Sequence, residues 1–194
     1  VEPDADGRRS ADARADDRVR DRLAAMIGPI EVLVDGFDRI QEVLHEILDG
    51  VAEAELAWQP GAGANTLGWL TWHLARVQDA QVADLATTGQ VWTADGWADR
   101  FSLPFEPSAT GYGQDPQAVT AVQAAPQLIA GYYDAVHDRT LEYLRGVDPA
   151  QLERVVDERW DPPVTCAVRL VSILSDDLQH VGQAAYVRGL LDRR

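Results

Sequence analysis

The sequence predicts an all-α protein, a four-helix bundle with a long crossover between its second and third helices. Three observations lead there. Four segments repeat apolar residues at helical spacing. Proline, glycine and hydroxyl residues stand where such helices begin and end. No pair of alternating segments reads as a strand hairpin. Four amphipathic helices bury their stripes against one another, and that is a bundle.

In chain order, residues 1–24 are a polar Arg/Asp/Ala stretch with few apolar anchors, expected to be an N-terminal extension. Residues 25–194 are the bundle domain. The first helix starts at Pro29, a first-turn proline, and carries Ile30, Leu33, Val34, Phe37, Ile40, Leu44, Ile47 and Leu48 to a stop at Gly50. The "QPGAGANT" loop after it lacks the Gly-Lys-Ser/Thr ending and preceding strand of a phosphate loop. Asn65 or Thr66 caps the second helix, whose inner stripe reads Leu70, His73, Leu74, Val77 and Gln81. Residues 89–125 form a long connection, expected to be functional or to carry small helices. The third helix, "PQLIAGYYDAVHDRTLEYLRG", turns Ile129, Tyr133, Val136, Thr140, Leu141 and Leu144 to one side. Pro162 and Pro163 make "DERWDPPVT" irregular, and the fourth helix runs over residues 165–191.

Composition narrows the function. The chain has 194 residues, enough for one domain with a real core. A formal charge of -15 repels phosphate backbones and argues against nucleic acid as a partner. No apolar run reaches the length of a membrane span, and the first residues lack a signal peptide's apolar stretch. A single cysteine, Cys166, excludes an intrachain disulfide framework and suits a reducing cytoplasm. All 17 Lys+Arg residues are Arg, the habit of a high-GC coding sequence.

The chemistry gathers on "SDDLQHVGQAAY", residues 175–186. The apolar stripe of the fourth helix runs Leu170, Ile173, His180, Ala184, Val187 and Leu191, and Asp176 with Asp177 occupies its missing turn. Residues four apart share a helix face, so Asp176 and His180 aim at one spot. His73 takes a stripe position on the second helix. A bundle brings such inward positions together, and two imidazoles with a carboxylate are an open ligand set for Zn²⁺, with Ni²⁺ or Fe²⁺ as alternatives. The competing reading is a buried Asp–His ion pair beside a hydrogen-bonded core histidine.

The segments "NTLGWLTWHLARVQDAQ", "VWTADGWADRF", "GYYDAVH", "WDPPVT" and "SDDLQHVGQAAYVRGLL" give the chain a resemblance over residues 30–191. It resembles the DinB-like (YfiT-type) superfamily and, more narrowly, the actinobacterial mycothiol S-transferases. The resemblance implies a bundle holding a divalent metal on His73, Asp176 and His180. Many members carry a third histidine where this chain has Asp176, and thiol-using branches carry an acid. It further implies conjugation of mycothiol, a low-molecular-weight thiol, to electrophilic small molecules, a detoxification chemistry. The alternatives are a metal hydrolase of small amides or esters, with Asp177 as its nearest general base, and a non-catalytic metal-binding stress-response bundle.

Each remaining candidate carries two readings. Arg76 pairs with Asp79 or binds a sugar thiol, and Trp92, Trp97 and Phe101 line an electrophile pocket or pin the long loop. His137 reaches the metal's surroundings or is a satisfied core histidine, and Asp177 supports the ligands or faces solvent. His45 reads as solvent-facing, and Trp69 and Trp72 as packing residues. Cys166, near the start of the fourth helix, is a rival nucleophile or an inert small hydrophobe. The assembly is expected to be a monomer or homodimer.

Overall fold

The computed structural model describes residues 28–115 and 117–194, so the extension expected at residues 1–24 lies outside the described residues. The helices are α1 (Pro29–Leu48), α2 (Glu53–Leu56), α3 (Leu67–Ala86), α4 (Val91–Ala94), α5 (Trp97–Phe101), α6 (Pro126–Gly146) and α7 (Cys166–Leu191). Short 3-10 turns lie at Ala118–Ala121 and Pro149–Glu153. The ends follow from local chemistry. Pro29 and Pro126 open α1 and α6, where the missing N–H costs no helical hydrogen bond. Thr66 Oγ1 accepts from the Trp69 N–H at the start of α3, and Thr165 Oγ1 accepts from Val168 N–H at the start of α7.

The four long helices are α1, α3, α6 and α7. Both α1 and α3 pack against both α6 and α7, which sets α1 and α3 across one diagonal of the bundle. Phe37, Ile40, Leu44, Leu70, Leu74, Ile129 and Leu170 fill the space between them. The crossover after α3 is not a bare loop. It carries α4, α5 and a 3-10 turn and folds back over α3. That cover changes the expected stripe of α3: Leu70, His73 and Leu74 are buried, but Val77 and Gln81 are half-buried while Gln78, Val82 and Leu85 lie inside. A helix covered on several sides has no single apolar face to read.

Two further features depart from the sequence reading. Val155–Asp157 (β1) pairs antiparallel with Val164–Thr165 (β2), a ribbon too short to leave an alternating pattern. Arg159 and Arg169 tie its Asp157 carboxylate. On α7 the buried stripe is Leu170, Ile173, Asp177, Val181 and Ala184, so Asp177 holds the core position and Asp176 and His180 flank it. Among the described residues no helix is long and apolar enough to cross a membrane.

Candidate metal centre

The centre forms where α3 meets α7. His73 projects from the second turn of α3, and Asp176 and His180 stand one turn apart on α7. Their ligand atoms all lie within 4.8 Å of one another, and among the described residues this group has three members. His180 Nε2 stands 3.7 Å from Asp176 Oδ1, too far for a good hydrogen bond. Two ligands bound to one Zn²⁺ at tetrahedral angles are about 3.4 Å apart, so the spacing suits a shared ion better than a direct pair. The two imidazole rings meet edge to face at 4.7 Å.

Each ring is held by its far nitrogen. A carbonyl only accepts, so His73 Nδ1–H donates to the Thr110 carbonyl at 2.6 Å, leaving the Nε2 lone pair free. His180 Nδ1–H donates to Gln183 Oε1 at 3.1 Å with the same result. Such partners fix the tautomer and orientation that a ligating histidine needs. Burial, the largest influence, lowers the His73 pKa against the pull of the Thr110 carbonyl. Burial thus favours the neutral ring, the form that binds metal.

Asp176 supplies the strongest sign of fit: its Oδ2 is buried and has no hydrogen-bond partner. A buried carboxylate oxygen left bare is costly, and a divalent cation would satisfy it. Exposure rises across the triad, from His73 at 4% to the His180 and Asp176 side chains at 17% and 34%. The centre is thus rooted in the core and open on one flank.

The support for these ligands comes from residues that sequence reasoning set aside or missed. Trp69, read as packing, stacks on His73 with ring centroids 4.4 Å apart and 11° between planes. Its indole N–H donates to Gln114 Oε1. Gly111 has φ +96, and a Cβ there would lie 2.5 Å from His73 Nδ1, so only glycine lets the loop pass against the ring. The sequence signal was the "GYG" run, which a positive-φ turn requires but which does not name its neighbour.

The other candidates make the following contacts. Arg76 is fully buried, and its guanidinium donates to the carbonyls of Ala109 and Pro107, to Gln90 Oε1, to Tyr132 Oη and to Asp79. It holds the crossover onto α3 and offers nothing to a cleft. Trp92 and Phe101 are buried with Tyr132 in an aromatic cluster, and Trp97 packs on the same tyrosine. They pin the loop, although Trp92 also borders a 270 Å³ cavity with Trp72, Asp99 and Glu106. His137 bonds to Asp38 of α1 at 2.9 Å and is not gathered with the triad.

Asp177 does not face solvent. It is 0% exposed, neither oxygen has a partner, and burial holds its pKa well above the usual carboxylate range. Cys166 is also fully buried, with Sγ 3.4 Å from the Tyr143 hydroxyl. Ten residues separate it from Asp176, about 15 Å along a helix. His45 is half-exposed and bonds to Asp134 at 2.7 Å.

Comparison with curated proteins found no match. Among solved structures the chain is similar to the crystal structure of a conserved protein from Enterococcus faecalis, with a TM-score of 0.82 and 31% identity. That match covers 87% of this chain and 100% of the other. Residues 36–184, from α1 through the triad to the later turns of α7, match the DinB superfamily. With the bundle, the His/Asp/His group and this match all on the same helices, the chain belongs to the DinB superfamily of metal-binding bundles.

Proposed function

We infer that the protein is a metal-dependent thiol S-transferase. The observation that carries this reading is the three-ligand centre with an orphaned carboxylate oxygen and an open flank. Three protein ligands leave a position for an exogenous group, as catalytic rather than structural sites do. A free thiol has a pKa of about 8.5, and a divalent ion at this position would deprotonate it near neutral pH.

The protein's own residues then have defined tasks. His73 and His180, clamped by Thr110 and Gln183, present their free nitrogens, and Asp176 contributes negative charge. With a divalent ion held there, the anionic Asp176 would leave a thiolate more nucleophilic than a third imidazole would. In the reaction the thiol loses its proton to solvent. Its sulfur lone pair forms a C–S bond with the electrophilic carbon, and the leaving group departs with its bonding pair. No protein nucleophile is needed, in keeping with the burial of Cys166.

The resemblance to mycothiol S-transferases over residues 30–191, with an acid at position 176, supports mycothiol as the thiol, and two imidazoles with a carboxylate suit Zn²⁺, with Ni²⁺ or Fe²⁺ as alternatives. A reducing cytoplasm, where a small thiol stays reduced, is the matching compartment. The hydrolase alternative needed Asp177 as general base, and both its oxygens are sealed from solvent.

The test is elemental analysis of the purified protein together with turnover of an alkyl halide in the presence of mycothiol, glutathione or cysteine. One ion per chain and a rate that requires the thiol, fastest with mycothiol, are expected. Turnover without any thiol would defeat the reading. Asp176→His is expected to retain the metal and lose part of the rate.

A further inference from the structure

Beside the metal centre lies an open groove of about 490 Å³ between the start of α3, the loop before it and the exposed outer turns of α7. Asn65, Leu70, Gln179, Gly182, Gln183 and Tyr186 define its character, and none of the residues lining it is charged. The chain as a whole carries a net charge of -15, so a wall without a carboxylate stands out. The smaller cavity near Trp92 is bounded instead by Asp99 and Glu106.

Two observations connect the larger cavity to the centre. Gln183 lines it and at the same time accepts from His180 Nδ1 through Oε1, which leaves its NH₂ end as a donor for a carbonyl. Leu70 lies one turn before His73 on α3. An occupant would therefore touch the group that orients a ligand.

Gly182 is the second feature. It lies inside the 26-residue α7, where glycine weakens a helix relative to alanine. A Cβ at Gly182 would meet no atom within 4 Å, and its φ is not positive, so neither crowding nor a turn requires glycine there. Gly182 is exposed, and its missing side chain leaves that side of the groove open.

We propose that this cavity is the acceptor pocket of the centre, that it takes an uncharged molecule with an apolar body and a carbonyl or amide group, and that Gly182 determines its specificity. The proposal rests on the triad being the reactive centre. Charge selection follows from the composition of the wall: a carboxylate seated against it gives up part of its hydration and finds no cation. Size selection follows from Gly182, because a larger side chain there occupies the space without disturbing the helix.

The experiment separates binding from turnover. Acetanilide and its anionic analogue 4-acetamidobenzoate are titrated into metal-loaded protein without thiol, read by saturation-transfer NMR and calorimetry. Wild type is expected to bind acetanilide at least about tenfold more tightly than the carboxylate. Gly182→Leu is expected to lose acetanilide by a similar factor, while Gly182→Ala stays within about threefold and both keep their metal and helicity. Equal binding of the two compounds, no binding to wild type, or unchanged binding to Gly182→Leu would each overturn the pocket. Turnover of iodoacetanilide with mycothiol is measured in parallel. If the binding pattern holds without thiol-dependent turnover, the pocket stands and the transferase reading falls. If turnover occurs without the pattern, the pocket falls alone.

Discussion

One turn of α3 separates two buried polar groups that the chain treats in opposite ways. Around Arg76, every charge has a partner. Asp79 accepts from the N–H groups of Val91 and Trp92 and from Tyr132 Oη, and Arg76 lies 3.3 Å away. Burial still pushes the Asp79 carboxyl up, against those hydrogen bonds. Around His73, the ring backs are held but the fronts are bare, and Asp176 Oδ2 has no partner. Both regions use the same crossover for support, through Ala109 for Arg76 and Thr110 for His73. The saturated group binds the fold together. The unsaturated one is shaped for something that arrives later.

Substitutions can break this contrast, and the largest effect is on metal content. His73→Ala or His180→Ala is expected to reduce it from about one ion per chain to nearly none, by elemental analysis. His45→Ala, on a histidine paired elsewhere, retains the ion. Equal content in all three would mean that the bare fronts are not ligands.

The next effect is on stability. Arg76→Ala removes the charge partner of the buried Asp79 and the hydrogen bonds to Ala109, Pro107 and Gln90, and breaking one side of a buried pair costs about 3–5 kcal/mol. In a chain of this size that lowers the thermal midpoint by roughly 10 °C in calorimetry. A midpoint within about 2 °C of wild type would show that the saturated node is not holding the crossover.

The contrast sharpens at Gly111, which belongs to the support of the bare group alone. Gly111→Ala drives a methyl into His73 Nδ1 and is expected to weaken metal binding by about 10- to 100-fold in competition with a chelator. An unaffected affinity would show that the loop does not orient His73.

How much of this was legible in the sequence follows from which forces leave a periodic trace. The stripe of α1, with Phe37, Ile40 and Leu44, repeats because one face meets the core, so its limits could be read from Pro29 onward. That Asp176 and His180 share a face was legible from their spacing of four. The depth of Asp177 was not: one residue along a helix is a rotation of about 100°, and with His180 taken as the stripe position Asp177 was left either supporting the ligands or facing solvent. The Arg76–Asp79 spacing of three is also that of ordinary surface pairs, and only the crossover folding over α3 made it a buried node. The Thr110 carbonyl is backbone, which every residue has, and spacing cannot point to it.

Smaller effects lie far from both groups. Hydrogen bonds from the Arg159 side chain hold Asp157 of the β-ribbon well below the usual carboxylate range. A carboxylate depressed in the folded state stabilises above its unfolded pKa of about 3.9 and loses that contribution as pH falls through the folded value. Asp157→Asn is therefore expected to lower the midpoint modestly at pH 7, with the difference from wild type shrinking below about pH 4. A difference that grows in acid would contradict the sign. Smallest of all is Cys166→Ser, expected to leave thiol-dependent turnover within about twofold, since the sulfur is buried about 15 Å from Asp176. Loss of activity in that variant, with retention after metal removal, would replace the metal mechanism with a protein thiol.

The contact between the crossover and His73 also ties metal loading to the integrity of the backbone. Tyr112, next to Gly111, is 91% exposed and lies in the same loop whose Thr110 carbonyl grips the imidazole. A protease that cuts after aromatic residues must peel this segment outward before it can cleave, and peeling it releases the ring. Whatever binds the gripped form makes that opening rarer in proportion to its own occupancy. Limited chymotrypsin digestion should then report on the ion from a distance, with the bond after Tyr112 protected by metal and exposed by a chelator.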